Sequence, residues 1–147
     1  MQPIDFTVSI TWFRYKGKYC PWRVAFASVK DPKEVYDIVP CYDSLRGMTE
    51  KDLSYNVAII GSEDFPYRRP GAVTRFVQKV DEIAAFIKDS FYPIVLQEYT
   101  DKLVYIASDE LWTVNYLRYD AGLDNIIQLP DCDIETLPRC QGMALSL

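Results

Sequence analysis

The chain of 147 residues contains no histidine. That absence excludes Ser-His-Asp and Cys-His catalysis, whose nucleophile depends on an imidazole base. It also excludes histidine metal sites, haem ligation by histidine and acid–base chemistry by imidazole near neutral pH. Carboxylate chemistry survives, because a pair of Asp or Glu can run glycosidic or phosphoryl transfer alone. Lysine and cysteine mechanisms survive too, with no signature to point to them.

Glycine is scarce. The six glycines form neither G-x-G-x-x-G nor G-x-x-x-x-G-K, so the loops that cradle phosphates with backbone N–H groups are missing. The four cysteines, Cys20, Cys41, Cys132 and Cys140, make no C-x-x-C pair. A zinc site would need all four thiolates from scattered positions, so free, largely buried thiols are the expected state and no cofactor or metal is implied. No apolar run approaches the roughly 18 residues of a spanning helix. The start, Met1-Gln2-Pro3-Ile4-Asp5, lacks the basic and apolar stretches of a signal peptide, and the expectation is a cytoplasmic protein.

What is present is globular: 49% hydrophobic and 25% charged residues, with a high aromatic share of 14%. The length suits a single domain over 1–147. Phe6, Val8, Ile10 and Trp12 alternate with Thr7, Ser9 and Thr11, and Trp22, Val24 and Phe26 alternate with Arg23, Ala25 and Ala27. Around Lys16-Gly17-Lys18 this predicts an antiparallel hairpin, with Pro21 marking an edge or bulge. Asp31-Pro32 suggests one turn of helix ended by Pro40. Residues 40–53 read as a loop and 55–60 as a short interior strand. Gly61 to Gly71 reads as a surface loop carrying Glu63, Asp64, Arg68 and Arg69.

Val73, Phe76, Val77, Val80, Ile83, Ala84, Ile87 and Phe91 recur at helical spacing, predicting an amphipathic helix over about 72–91 closed by Pro93. Residues 95–99 and 103–107 read as a second hairpin. Ser108-Asp109-Glu110 and Ala121-Gly122 bound a second helix near 109–121, against the β-forming Trp112, Thr113, Val114, Tyr116 and Tyr119. Residues 125–129 read as a last strand. The expected fold is α+β: an antiparallel sheet of about five strands, with the long helix on one face and the other face open to a partner.

Charge is unevenly spread. Residues 1–80 hold 12 Lys+Arg against 9 Asp+Glu, a net of +3, and residues 81–147 hold 4 against 12, a net of −8. Such a half is often only a solvated surface. The sharper reading is a face displaying Asp101, Asp109, Glu110, Asp120, Asp124, Asp131, Asp133 and Glu135 toward a basic partner. Direct nucleic-acid binding is disfavoured in an acidic chain without a Lys/Arg stripe. The adjacent acids Glu63-Asp64 and Asp109-Glu110 point to opposite sides of an extended chain, so neither makes a ready dyad, and no catalytic residue is assigned. Asp131 and Asp133 supply too few oxygens for a hard cation.

The expectation is a non-catalytic protein inhibitor, of the immunity-protein or phage anti-defence kind, occluding a basic toxin, nuclease or defence effector. A homo-oligomeric assembly protein, such as a virion component, is the alternative, and a small carboxylate enzyme the third reading.

Overall fold

The computed structural model describes residues 3–42, 49–60, 73–77, 83–96, 104–136 and 138–147. Its frame is the hairpin of β1 (Phe6–Tyr15) and β2 (Lys18–Ser28). Lys16 and Gly17, both at positive φ (51° and 78°), form the two-residue turn whose twist suits antiparallel strands. Pairing runs from Phe6–Ser28 to Tyr15–Lys18, with a bulge where Thr11 faces Arg23 but Trp12 faces Pro21. The proline thus falls where the ladder is already interrupted.

β3 (Val35–Tyr42) adds antiparallel to β2, and β4 (Val73–Val77) adds parallel to β3. On the other side β5 (Ile106–Ser108) lies parallel to β1, and β6 (Ile126–Gln128) parallel to β5. The resulting six-stranded sheet has the order β4-β3-β2-β1-β5-β6. It is mixed rather than antiparallel, because the parallel neighbours are joined through helices. α1 (Glu50–Ile60) intervenes between β3 and β4. α3 (Leu111–Asn115), running into a π-helical turn over Tyr116–Asp120, intervenes between β5 and β6.

Both faces of the sheet are covered. Phe6, Val8, Ile10, Val24 and Phe26 form one side with Ile38 and Ile106, packing against Ile87 and Phe91 of α2 (Ile83–Leu96) and Val114 and Leu117 of the α3 region. Full burial of each such side chain stabilises the fold by about 1.5–3 kcal/mol. The alternate positions Ala25 and Ala27 pack against Cys140 and Ala144 of α4 (Arg139–Leu145). The small residues let α4 approach closely, and its backbone is tied down by two hydroxyls. The Thr7 hydroxyl donates to the Cys140 carbonyl at 2.6 Å, and the Cys140 N–H donates to Ser9 Oγ at 3.1 Å. The face expected to lie open is therefore filled, and Thr7 and Ser9 serve as anchors there. Arg23 and Asp37 form a buried ion pair between β2 and β3, with Nε 2.5 Å from Oδ1.

Several local readings are corrected. The expected single helix over 72–91 is instead strand β4 followed by α2, which extends past Pro93 to Leu96. The β-branched Val73 and Thr74 with Phe76 suit a strand, and the apolar period of the two elements happens to run on in phase. Val95 and Leu96 belong to α2, so no hairpin joins them to β5, which pairs with β1 instead. Residues 55–60 are helix rather than strand, and their signal was upstream. Thr49 and Asp52 form a capping box: the Asp52 N–H donates to Thr49 Oγ1 at 3.1 Å and the Thr49 N–H to Asp52 Oδ2 at 2.9 Å. The expected helical turn at 32–36 is a tight turn leading into β3. The Glu63, Asp64, Arg68 and Arg69 loop lies outside the described residues. Among the described residues no helix is long and apolar enough to cross a membrane.

Candidate functional site: an aromatic cleft

Three elements bring a group of aromatic side chains together at the turn end of the hairpin. α1 is fixed there by two polar residues one helical turn apart. Asn56 accepts the Arg14 N–H at 2.6 Å and donates to the Arg14 carbonyl at 2.9 Å. Asp52, buried, accepts the N–H groups of Lys16 and Gly17 at 2.7 and 3.1 Å and lies 3.0 Å from Arg14 Nε. Burial alone would raise the Asp52 carboxyl, but N–H donation from Thr49, Gly17 and Lys16 and the Thr49 hydroxyl outweigh it and hold its pKa below the usual range. The carboxylate thus serves the turn of the hairpin and the cap of the helix at once. This clamp sets Tyr55 of α1 against Tyr19 of β2, ring centroids 5.4 Å apart at 70°.

The third wall comes from the segment after β5. Tyr19 meets Trp112 of α3 edge-on at 6.5 Å and 63°, and Trp12 of β1 meets Tyr116 at 5.3 Å and 85°. Trp12, Tyr19, Tyr55, Glu110, Leu111 and Trp112 line a cleft of about 530 Å³, Glu110 being the acid among them. That volume falls in the range of small-ligand and side-chain sites. Burial raises the pKa of Glu110 and Asp109 raises it further, while the Thr113 hydroxyl, the Ile10 amide and Arg139 pull the other way without cancelling the shift. Burial likewise raises the Tyr55 phenol, and Tyr19 adds to it. The nearby Cys20 thiol is pushed up to about 11, chiefly by burial, so it is a poor nucleophile at neutral pH.

Asp109 turns the opposite way from Glu110. Its carboxylate, 1% exposed, lies 2.6 Å from Arg139 Nη2 and accepts the Cys132 N–H at 2.9 Å. Its own N–H points at the Met143 sulfur, 3.4 Å away. Asp109 therefore joins β5, α4 and the segment before α4, and is not displayed to a partner; an isolated carboxylate could not be buried there, but one paired with Arg139 can. Adjacent residues diverge as the sequence implied, and the two carboxyls do not face one site.

Comparison with protein-family models, with curated proteins and with solved structures finds no match.

Of the remaining acids, Asp120, Asp124, Asp131, Asp133 and Glu135 are exposed, and Asp101 lies outside the described residues. Asp120 ends the helical segment that carries Trp112 and Asp124 follows it, and the other three lie on the extended stretch that crosses to α4. That stretch is held by Asp109 at Cys132 and by Thr136, whose Oγ1 accepts the Gly142 N–H at 2.7 Å. Sequence reasoning did not single out the aromatic residues of the cleft. The high aromatic share was their only advance signal, since Trp12, Tyr19, Tyr55 and Trp112 lie far apart in the chain.

The same helical segment carries a second feature. Trp112 and Tyr119 are each 74% exposed and Leu111 is 52% exposed, while Thr113, Val114 and Leu117 are buried. Positions 112, 115 and 119 lie on the outward side of the helical segment, and Trp112 also lines the cleft.

Proposed function

We propose that this protein acts by binding, without catalysis, a basic protein partner. The α3 face and the adjoining cleft form the centre of the contact, and the acids from Asp120 to Glu135 form its rim. The observation that carries this reading is the exposure of Trp112 and Tyr119 on one helical segment whose start lines an aromatic cleft. Single exposed apolar residues are ordinary, but aromatic side chains grouped on one surface are the composition of interface centres. Trp and Tyr also dominate the few residues that supply most binding energy. The exposed acids would steer a basic partner and set its orientation. An occluding inhibitor, of the immunity or anti-defence kind, needs such a surface and no reactive group.

The test is affinity capture from the native cell at low salt, followed by titration of the purified pair. Trp112→Ala with Tyr119→Ala is expected to weaken the complex by about 30-fold or more, the loss of at least 2 kcal/mol that marks an energetically dominant residue. Charge reversal at Asp120, Asp124 and Asp131 is expected to slow association and flatten its salt dependence. A complex indifferent to both sets of substitutions would overturn the reading. A stable dimer of the chain, dispersed by the aromatic pair of substitutions, would replace it with self-assembly.

A further inference from the structure

The cleft beside Trp112 has a chemistry more specific than that of a general sticky surface. We infer that it receives one arginine side chain of the basic partner, with the aromatic rings of Tyr19, Tyr55 and Trp112 taking the guanidinium plane and Glu110 as its carboxylate. This rests on the protein-binding reading above and adds to it the identity of the group inserted.

Four observations support arginine. First, the lining consists of four aromatic side chains and Leu111 with a single acid among them. Aromatic rings attract a cation through the negative potential of their faces, and more strongly in a site shielded from water. Second, the rings are held by the protein rather than by the guest. Tyr19 is in edge contact with both Tyr55 and Trp112, and α1 is locked to the hairpin by Asp52 and Asn56. A guest therefore meets walls already in place, which lowers the entropy lost on binding.

Third, Lys16 lies over the Tyr15 ring and Arg118 over the Tyr119 ring, and neither of those rings lines the cleft. Arg139, which acts on Glu110 from a distance, is committed to Asp109 on the opposite side. Fourth, Glu110 is the acid among the residues lining this largely apolar cleft; its Oε1 accepts the Thr113 hydroxyl at 3.2 Å, yet burial still works against its ionised form. A guanidinium entering beside it would restore that form. Arginine fits better than lysine because its planar, weakly hydrated head stacks on rings and pairs with a carboxylate through two N–H groups, whereas an ammonium gives up more hydration.

N-acetylarginine amide is the probe, with the lysine amide and the uncharged, isosteric citrulline amide as controls. Binding is followed by tryptophan fluorescence and by shifts of the aromatic proton resonances. The arginine amide is expected to saturate on the order of millimolar, as suits so small a ligand. The lysine amide should bind several-fold more weakly and the citrulline amide at least tenfold more weakly. Glu110→Gln should weaken the arginine amide tenfold or more and erase most of its advantage over citrulline, and Tyr19→Ala should do likewise. Thermal melts verify that each variant is folded, and Glu110→Phe serves as a second block of the cleft. Equal binding of arginine and citrulline amides, or an unchanged affinity in folded Glu110→Gln, would overturn the inference. Failure of the probe while Trp112→Ala still weakens the protein complex would sink the arginine pocket and leave the protein-binding surface standing.

Discussion

Arg139 reaches Asp109 with two nitrogens, Nη2 at 2.6 Å from Oδ2 and Nε at 3.3 Å from Oδ1, and so ties the end of β5 to the start of α4. The Asp109 side chain is enclosed while the Arg139 side chain remains 40% exposed. The pairing is therefore unsymmetrical: Arg139 can return to water, but Asp109 cannot.

That asymmetry predicts a large cost for removing the arginine alone. Arg139→Met is expected to destabilise the fold by about 3–5 kcal/mol, the usual penalty for leaving a buried charge unpaired. Adding Asp109→Asn should recover a substantial part of the loss. Urea unfolding of the two single variants and the double variant measures the coupling; strict additivity would show that the pair does not act as one.

A second prediction concerns acid. The folded-state pKa of Asp52 is lowered, so its contribution is present above the unfolded value of 3.8 and lost as pH falls through the folded value. Asp52→Asn should therefore be less stable than the parent at pH 7, with the gap closing as pH falls below the unfolded value. Amide exchange at Lys16 and Gly17, whose N–H groups Asp52 accepts, should quicken in the variant. Unchanged exchange there would mean that the turn holds itself.

Glu110 has the opposite sign. Its raised pKa means that it favours folding fully below the unfolded value of 4.5 and progressively less as pH rises through the folded value. Glu110→Gln should thus raise the melting temperature at pH 7 and leave it nearly unchanged at pH 3.5. A gain in stability joined to a loss of binding would identify a residue retained for function rather than for the fold.

Gly142 tests the close approach of α4 to the segment before it. A Cβ built there would lie 2.3 Å from the Ile134 carbonyl oxygen and 3.0 Å from Thr136 Oγ1. Glycine inside a helix is ordinarily unfavourable relative to alanine, yet here Gly142→Ala should destabilise by about 1–3 kcal/mol, as for overpacking. Denaturation and the exchange rates of the α4 amides would register it.

How much of this could be read in advance follows from the range of each signal. The hairpin was legible because its period of two and its Lys16-Gly17 turn are local. The helical stretch after Glu110 and the strand at 126–128 were legible for the same reason, from end signals close by. β4 and α2 were fused because their apolar positions run on at compatible spacing, and α1 was missed because Thr49 and Asp52 look like loop residues unless paired as a cap. The strand directions, the second covered face and the aromatic cleft depend on contacts such as Phe6 with Ile106, separated by 100 positions. Of the eight acids expected to face a partner, five are exposed and Glu110 lies in the cleft. Asp109 alone is withdrawn among those described, because Arg139 offers it a better partner than water.

The place of β1 between β2 and β5 also bears on how the chain assembles. Its pairing with β2 closes through a two-residue turn, so the hairpin belongs to the fast, local part of folding. Its other edge must wait for β5, a strand of three residues brought from far along the chain. Until then that edge presents unpaired N–H and C=O groups beside apolar side chains, and a neighbouring chain can take the place meant for Ile106. The strand at the centre of the finished sheet is thus an open edge for part of folding, and crowded expression of this protein should lose yield to aggregation through β1.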